Sequence, residues 1–338
     1  MKRFYLFFVL AALIVFGQTA QAESSYSAVW KIAHNETERG SDHFFAVKFK
    51  DLVEQKSGGN IKVDIFPLGT LGDGSSNLEM LQEGGVEFAI ADSGYIGSFV
   101  PESQLFRVHF LLTDDMALNR KLLKGKAMDI MNAEFLKNGM QVMLHFQKGF
   151  VNWTGNKPFR TLADFKGLKM RTVPAPILIE IYKLYGANPT AVNYAELYSA
   201  LQLGLVEAQE NDLTPIEELK LNEVQKVLTV SNHYSFIMTC VVNPAFYSSL
   251  PADVQQMLTE IFNELDEDFE VFIKDYTDGL LRKIKDEMGM EVVTLTPEER
   301  AAFREFNDQH RKSLEPILGK TGTEIMYTLQ EEIKALGK

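Results

Sequence analysis

The sequence predicts an α/β protein built as two domains, and three observations carry that expectation. A chain of 338 residues exceeds one ordinary domain, and 46% hydrophobic residues can fill a sizeable core. Along the chain, strand-like segments take turns with segments of helical spacing, the pattern of a largely parallel sheet covered by helices. Towards the C-terminus, Leu250 to about Gly289 is long, amphipathic and free of proline beyond Pro251, too long a helix for one small domain.

The elements follow in order. "VWKIAH" (29–34) reads as a strand, "DHFFAVKFKDLVEQKSGG" as a helix with a glycine stop, and "IKVDIFP" as a second, alternating strand. "NLEMLQEGG" is helical and "VEFAIADSG" is a strand, which completes a βαβαβ unit. The pattern resumes with the strand "QVMLHFQ" (141–147). A short helix "TLADFKG" opens at Thr161 with Asp164 three residues on, and the strand "LKMRTV" follows. "APILIEIYKLYGA" and "YAELYSALQLG" are helical, with "LVEAQEND" leading to the next helix. In "LPADVQQ", Pro251 suits the first turn of the long helix, which at about 35 residues would extend roughly 50 Å and could brace both domains.

The first 22 residues stand apart. Lys2 and Arg3 precede the apolar "FYLFFVLAALIVFG", which runs into the small-residue site "AQA" at Ala20 to Ala22. This reads as a cleavable secretory signal, and the mature chain is expected to begin at Glu23. Loss of the two cations takes the formal charge from −12 to −14, which argues against nucleic acid or an anionic membrane surface as partner. The single cysteine, Cys240, reads as a small buried hydrophobe, and an exported chain of this size without disulfides points to the bacterial periplasm.

There is no internal repeat, G-x-S-x-G, H-E-x-x-H or P-loop, and the glycines of "GTLGDG" do not make a dinucleotide fingerprint. The six histidines lack metal-ligand spacing. No cofactor or metal is expected.

Within "GLKMRTVPAP" (167–176), Arg171 interrupts a short apolar run, and a cation in a half-buried strand needs a partner. From the residues alone, that partner is either a protein carboxylate or a ligand. Three stretches then carry a resemblance: "GLKMRTV" with "GANPTAVNYAELYSALQLGLVEAQEN", the earlier "SGGNIKVDIFPLGTLGD", and "VQKVLTVSNHY". In these, and over nearly all of the mature chain, the sequence resembles the substrate-binding proteins of the tripartite ATP-independent periplasmic (TRAP) transporters, the DctP-like family.

The resemblance implies a non-enzymatic periplasmic receptor with a two-lobed α/β fold, a ligand cleft between the lobes and a long helix spanning both. It implies discontinuous lobes: 23–148 with about 237–276, and 149–236 with about 277–338. The expected ligand is a small organic acid, delivered to the membrane permease subunits by a monomeric receptor. Arg171 falls where the family grips the ligand carboxylate, a task that suits the guanidinium's planar fork.

Asn211 matches an asparagine that donates to the same carboxylate, against the plain reading of a turn or cap. Asp92, at a strand end, is either an acceptor for ligand hydroxyl or amino groups or a helix cap. Tyr194 aligns with an aromatic that packs on the ligand, His34 with a polar cleft position; core roles are the alternatives. Several relatives carry a second arginine twenty residues before the first, where this chain has Val151. Lys148 could substitute in part, and Trp153 could supply an apolar wall. An enzyme acting on a small acid, or a sensor feeding a signalling partner, are the alternative functions.

Overall fold

The computed structural model describes residues 26–337, so the expected signal segment 1–22 lies outside it. The N-terminal unit is as read: β1 (Ala28–Ala33), α1 (Ser41–Lys56), β2 (Ile61–Phe66), α2 (Gly74–Gln82) and β3 (Phe88–Asp92). β1 lies between β2 and β3, parallel to both. A one-turn helix α3 (Ser93–Ile96), a 3-10 turn at Pro101–Arg107, α4 (Met116–Leu122) and α5 (Lys126–Lys137) follow.

β4 (Gln141–Gly155) continues well past the seven residues expected, because Gly149 adopts φ +109°, open to glycine, and lets the strand bend without ending. Thr161 and Asp164 form a reciprocal cap over a 3-10 turn, Leu162–Phe165. Then come β5 (Lys169–Thr172), α6 (Pro176–Leu184), β6 (Asn188–Ala191), α7 (Leu197–Gln202), β7 (Ala208–Asn211) and α8 (Thr214–Glu218). β8 (Val227–Val242), α9 (Pro244–Ser249), α10 (Ala252–Asp286), β9 (Glu291–Thr294), α11 (Pro297–His310) and α12 (Glu315–Ala335, interrupted at Gly319) complete the chain.

The nine strands of the described residues join one sheet in the order β2-β1-β3-β8-β4-β7-β5-β6, with β9 also beside β8. The expected parallel pairing holds at the flanks, where β2-β1-β3 and β7-β5-β6 are parallel. The centre is a correction: β8 runs antiparallel to β3 and β4, and β4 antiparallel to β7. Among the described residues, β4 and β8 are the only strands long enough to serve both halves of the sheet. Each is buried along most of its length, which blurs the alternation a sequence reading depends on.

The long helix does brace the two halves. Leu258, Ile261, Phe269 and Ile273 of α10 pack with Phe45 and Phe49 of α1 and with Trp30 of β1, whereas Leu280 and Ile284 pack with Leu197, Leu201 and Ile216 of α7 and α8. α12 packs on α5 and on the 3-10 turn at Pro101–Arg107, so the C-terminal helix lies against the N-terminal half. Cys240 is fully buried in the first of these cores, as expected, and burial pushes its thiol up. Phe269 meets Phe45 and Phe146 edge to face at 5.7 and 4.9 Å. Replacing it with alanine should cost about 3–5 kcal/mol in urea unfolding while leaving the far-ultraviolet circular dichroism at zero denaturant unchanged.

Candidate functional site

A narrow cavity opens where the two halves of the sheet meet. The C-terminal ends of parallel strands point into it from both sides, the place where an open α/β sheet receives ligands. Asn35 and Glu36 follow β1, and Asp92 ends β3 with Tyr95 just beyond. From the other half come Val173 after β5, Tyr194 after β6, and Asn211 with Asp212 at the end of β7. Lys148 of β4 and Phe236 of β8 form the floor where the long strands cross.

Lys148 is almost fully buried and its ammonium is ion-paired to Glu36. Asp42 of α1 and Asp212 stand 3.7 and 3.9 Å from the same Nζ, and the Phe236 ring lies 5.3 Å from it. Burial drives the Asp42 carboxyl well above its ordinary range, with Glu36, Asp212 and Asp92 adding to it and Lys148 opposing. Asp212 is pushed up to about 6, by burial first, against Lys148 and the Thr214 amide and hydroxyl, with Glu36 raising it further. Glu36 is held in place by a second bond, from the Asp42 amide to Oε2 at 2.8 Å. Its carboxylate lies so close over Gly40 that a Cβ there would collide with it.

Arg171 is fully buried and is not itself among the cavity-lining residues; it lies close to Tyr95 and Asp92, which are. Its Nε and Nη2 both donate to the Val192 carbonyl, at 3.0 and 2.7 Å, while Nη1 is buried with no hydrogen-bond partner. Among the described residues it forms no ion pair with a carboxylate, so the structural salt bridge weighed from sequence is not what holds it. Burial lowers its pKa, with Tyr95, Glu210 and Asp92 opposing.

The other expected residues divide. Asp92, Tyr194, Asn211 and Lys148 reach the cavity wall. Asp92 caps α3 through the Gly94 amide (2.6 Å) and is paired with Arg107, so its cap role is realised at the cavity edge. The Tyr194 hydroxyl is committed to Glu218 at 2.8 Å, leaving its ring for the cavity. The Asn211 amide has only a long bond, 3.3 Å, to Gln209.

His34, Val151 and Trp153 are not among the cavity-lining residues. Val151 is fully buried in the core around α10. Trp153 stacks on His233 at 4.3 Å and donates to the Tyr182 hydroxyl at 2.9 Å. Both point away because β4 shifts register there. His34 is buried against His43, with Nε2 3.1 Å from Nδ1 of that ring.

Sequence reasoning missed Glu36, Asp42, Asp212 and Arg107. Glu36 and Asp212 lie just beyond strand ends, the same signal that pointed to Asp92, whereas nothing local marks Asp42 or Arg107. Arg107 donates to Ser93 Oγ (3.1 Å) and the Tyr234 hydroxyl (2.8 Å) besides its Asp92 pair. His109, Glu210 and His233 are a set of described residues close enough to share a metal ion. Glu210, however, already accepts from the Tyr182 and Tyr234 hydroxyls, with His233 Nε2 at 3.1 Å, so the set forms a buried hydrogen-bond network behind Trp153.

Glu218 fastens the site shut. Its Oε1 accepts from the Thr37 amide at 2.6 Å, joining segments 181 residues apart, and its backbone carbonyl accepts from Arg39 Nη2 at 3.1 Å. Glu218→Ala should keep the circular dichroism spectrum and sharply raise hydrogen exchange at the Thr37 amide; unchanged protection there would contradict this latch. Burial depresses the imidazoles of His34, His145 and His233 to about 3. In an NMR titration their ring signals should stay those of neutral imidazole from pH 7 down to about 4.

The comparisons with known proteins agree with this geometry. Residues 32–315 match the family model "Bacterial extracellular solute-binding protein, family 7", DctP. The chain is 30% identical over 322 residues to the ectoine/5-hydroxyectoine-binding periplasmic protein of Ruegeria pomeroyi, covering 94% of this chain and 93% of that one. Among solved structures, a TRAP periplasmic solute-binding protein of Marinobacter aquaeolei in an apo open form superposes with TM-score 0.83 at 34% identity, covering 89% of this chain and 99% of that one. One from Desulfovibrio salexigens with bound orotic acid superposes with TM-score 0.84 at 31% identity, covering 90% and 98%. With a two-lobed α/β scaffold, a cavity between its halves and a family match over most of its length, the chain belongs to the DctP family of TRAP-transporter solute-binding proteins.

Proposed function

We propose that this protein is a periplasmic receptor that captures a small organic acid in the cavity between its lobes and delivers it to the permease subunits of a TRAP transporter, without acting on it as an enzyme. The observation that carries this reading is Arg171. A guanidinium with one buried, unpartnered nitrogen, close to Tyr95 and Asp92 of the cavity wall, keeps a donor in reserve for an anion from outside. Because the Nε edge is occupied by the Val192 carbonyl, a carboxylate would meet the Nη1–Nη2 end of the fork. Asn211 supplies a second donor, and the rings of Tyr194 and Phe236 wall the acid in. The ligands of the relatives, ectoine and orotic acid, are small carboxylic acids, in keeping with such a site.

Several parts of the reading rest on sequence. The leader 1–22 is removed on export and the mature receptor is a monomer; among the described residues no helix is long and apolar enough to cross a membrane. The lobes comprise 23–148 with about 237–276, and 149–236 with about 277 onward, except that α12 joins the first lobe through its packing on α5.

The test begins with a thermal-shift screen of organic acids, since a ligand at a hundredfold excess over its Kd stabilises by about 2.7 kcal/mol. Arg171→Ala should then bind the best acid more weakly by about 2–5 kcal/mol in calorimetry, and Arg171→Lys should also lose most affinity because a point charge does not reproduce the fork. Near-native affinity in a folded Arg171→Ala protein would overturn the carboxylate role.

A further inference from the structure

The cavity wall itself carries the opposite chemistry to Arg171. Asp42 Oδ1 and Asn35 Oδ1 are buried with no partner in hydrogen-bonding geometry, and the Asp212 oxygens, although the Thr214 amide and hydroxyl stand near them, meet no donor in that geometry either; all three residues line the cavity. The one cation among them, Lys148, gives its close contact to Glu36 and stays 3.7 and 3.9 Å from the two aspartates. Arg107 is turned aside to Asp92. Three carboxylates thus face a single ammonium, and the surplus on the cavity wall is of hydrogen-bond acceptors and negative charge.

We propose that the ligand carries, besides its carboxylate, a cationic nitrogen with N–H donors that seats against Asp42 and Asp212, so that the cargo is a zwitterionic acid. The proposal rests on the receptor reading above and narrows its substrate class. An amine, amidinium or guanidinium brings both things the wall lacks: charge to balance the second carboxylate and N–H groups for orphaned acceptors. A second carboxylate on the ligand would meet Asp42 and Asp212 as like charges. A quaternary ammonium brings charge without donors and leaves the acceptors unfilled.

The opposite reading has Asp42 and Asp212 protonated and donating to a dianionic ligand, and the two differ in the sign of proton linkage. The groups facing this pair are Glu36 from the loop after β1, Asp92 at the end of β3, Lys148 on β4, Tyr194 after β6, Thr214 at the start of α8 and Tyr276 on α10. A cation seated on the aspartates expels protons from them, so affinity rises with pH while they ionise. A dianion seated there takes protons up, so affinity falls.

The probes are 4-aminobutanoate, its trimethylammonium counterpart, 4-hydroxybutanoate, succinate and the cyclic amidinium acid ectoine, within the wider acid library. Acids with an N–H-bearing cation should give the largest thermal shifts, and the tightest should gain affinity between pH 5 and 7 in calorimetry. Asp212→Asn and Asp42→Asn, each checked for folding by circular dichroism, should weaken that acid at least tenfold. A tightest ligand without a cationic N–H, affinity falling over that pH range, or undiminished binding in both variants would overturn the proposal while leaving an organic-acid receptor intact. If no acid of any class stabilised the protein, the receptor reading itself would fall, and this proposal with it.

Discussion

An ammonium can be buried only where carboxylates enclose it, and at Lys148 the fold brings them from three directions. Glu36 arrives from the loop after β1, Asp42 from the first turn of α1, and Asp212 from the end of β7. Two of these belong to one half of the sheet and the third to the other, so the cation is enclosed only when the halves meet. The same desolvation that makes Lys148 dependent on its neighbours raises Asp42 and Asp212. Each charge in the cavity is therefore legible only through the others, and removing Lys148 would leave three buried carboxylates without their counter-charge.

The scaffold meets this demand by running two strands through both halves. β4 carries Lys148 immediately before the bend at Gly149, and β8 carries Phe236 beneath it. A parallel sheet made only of short crossovers would place every side chain in one half or the other. The antiparallel pair instead puts a charged residue at the seam. α10 then packs one stretch of its apolar face on each half, and Glu218 reaches across to the Thr37 amide. Closure is thus supported by a continuous helix and by directional bonds at the cavity mouth, while the seam itself remains polar.

Much of the fold was legible in the sequence because its flanking units obey local rules. The βαβαβ start, the Thr161–Asp164 cap and the long helix after Pro251 all follow from periodicity and capping, and each is present. β4 beyond Gln147 and the sixteen residues of β8 were not legible, since burial on both faces removes the alternation. The site divides in the same way. Residues at strand ends, Asp92 and Asn211, could be named from position, whereas Asp42 and Arg107 sit on a helix and in a 3-10 turn that only tertiary packing carries to the cavity. Val151 and Trp153 fall outside the cavity wall, and the alternatives weighed for them could not be decided without a register: β4 shifts register near Gly149, and no local signal sets it.

The charge of the whole chain bears on what the cavity can capture. A formal net charge of −12 repels an approaching anion, but at physiological salt that repulsion is screened beyond about 8 Å, so discrimination must happen within the cleft. There two chemistries differ: a buried guanidinium with a spare N–H close to Tyr95 and Asp92, and unsatisfied carboxylate oxygens on the wall itself. A monoanion satisfies one and leaves the other under-coordinated; a dianion is opposed at the second by like charge. A molecule of no net charge but opposite ends meets neither penalty, feels little repulsion on approach, and is oriented as it enters. An acidic surface is thus compatible with binding an acid tightly, provided the acid brings its own counter-charge.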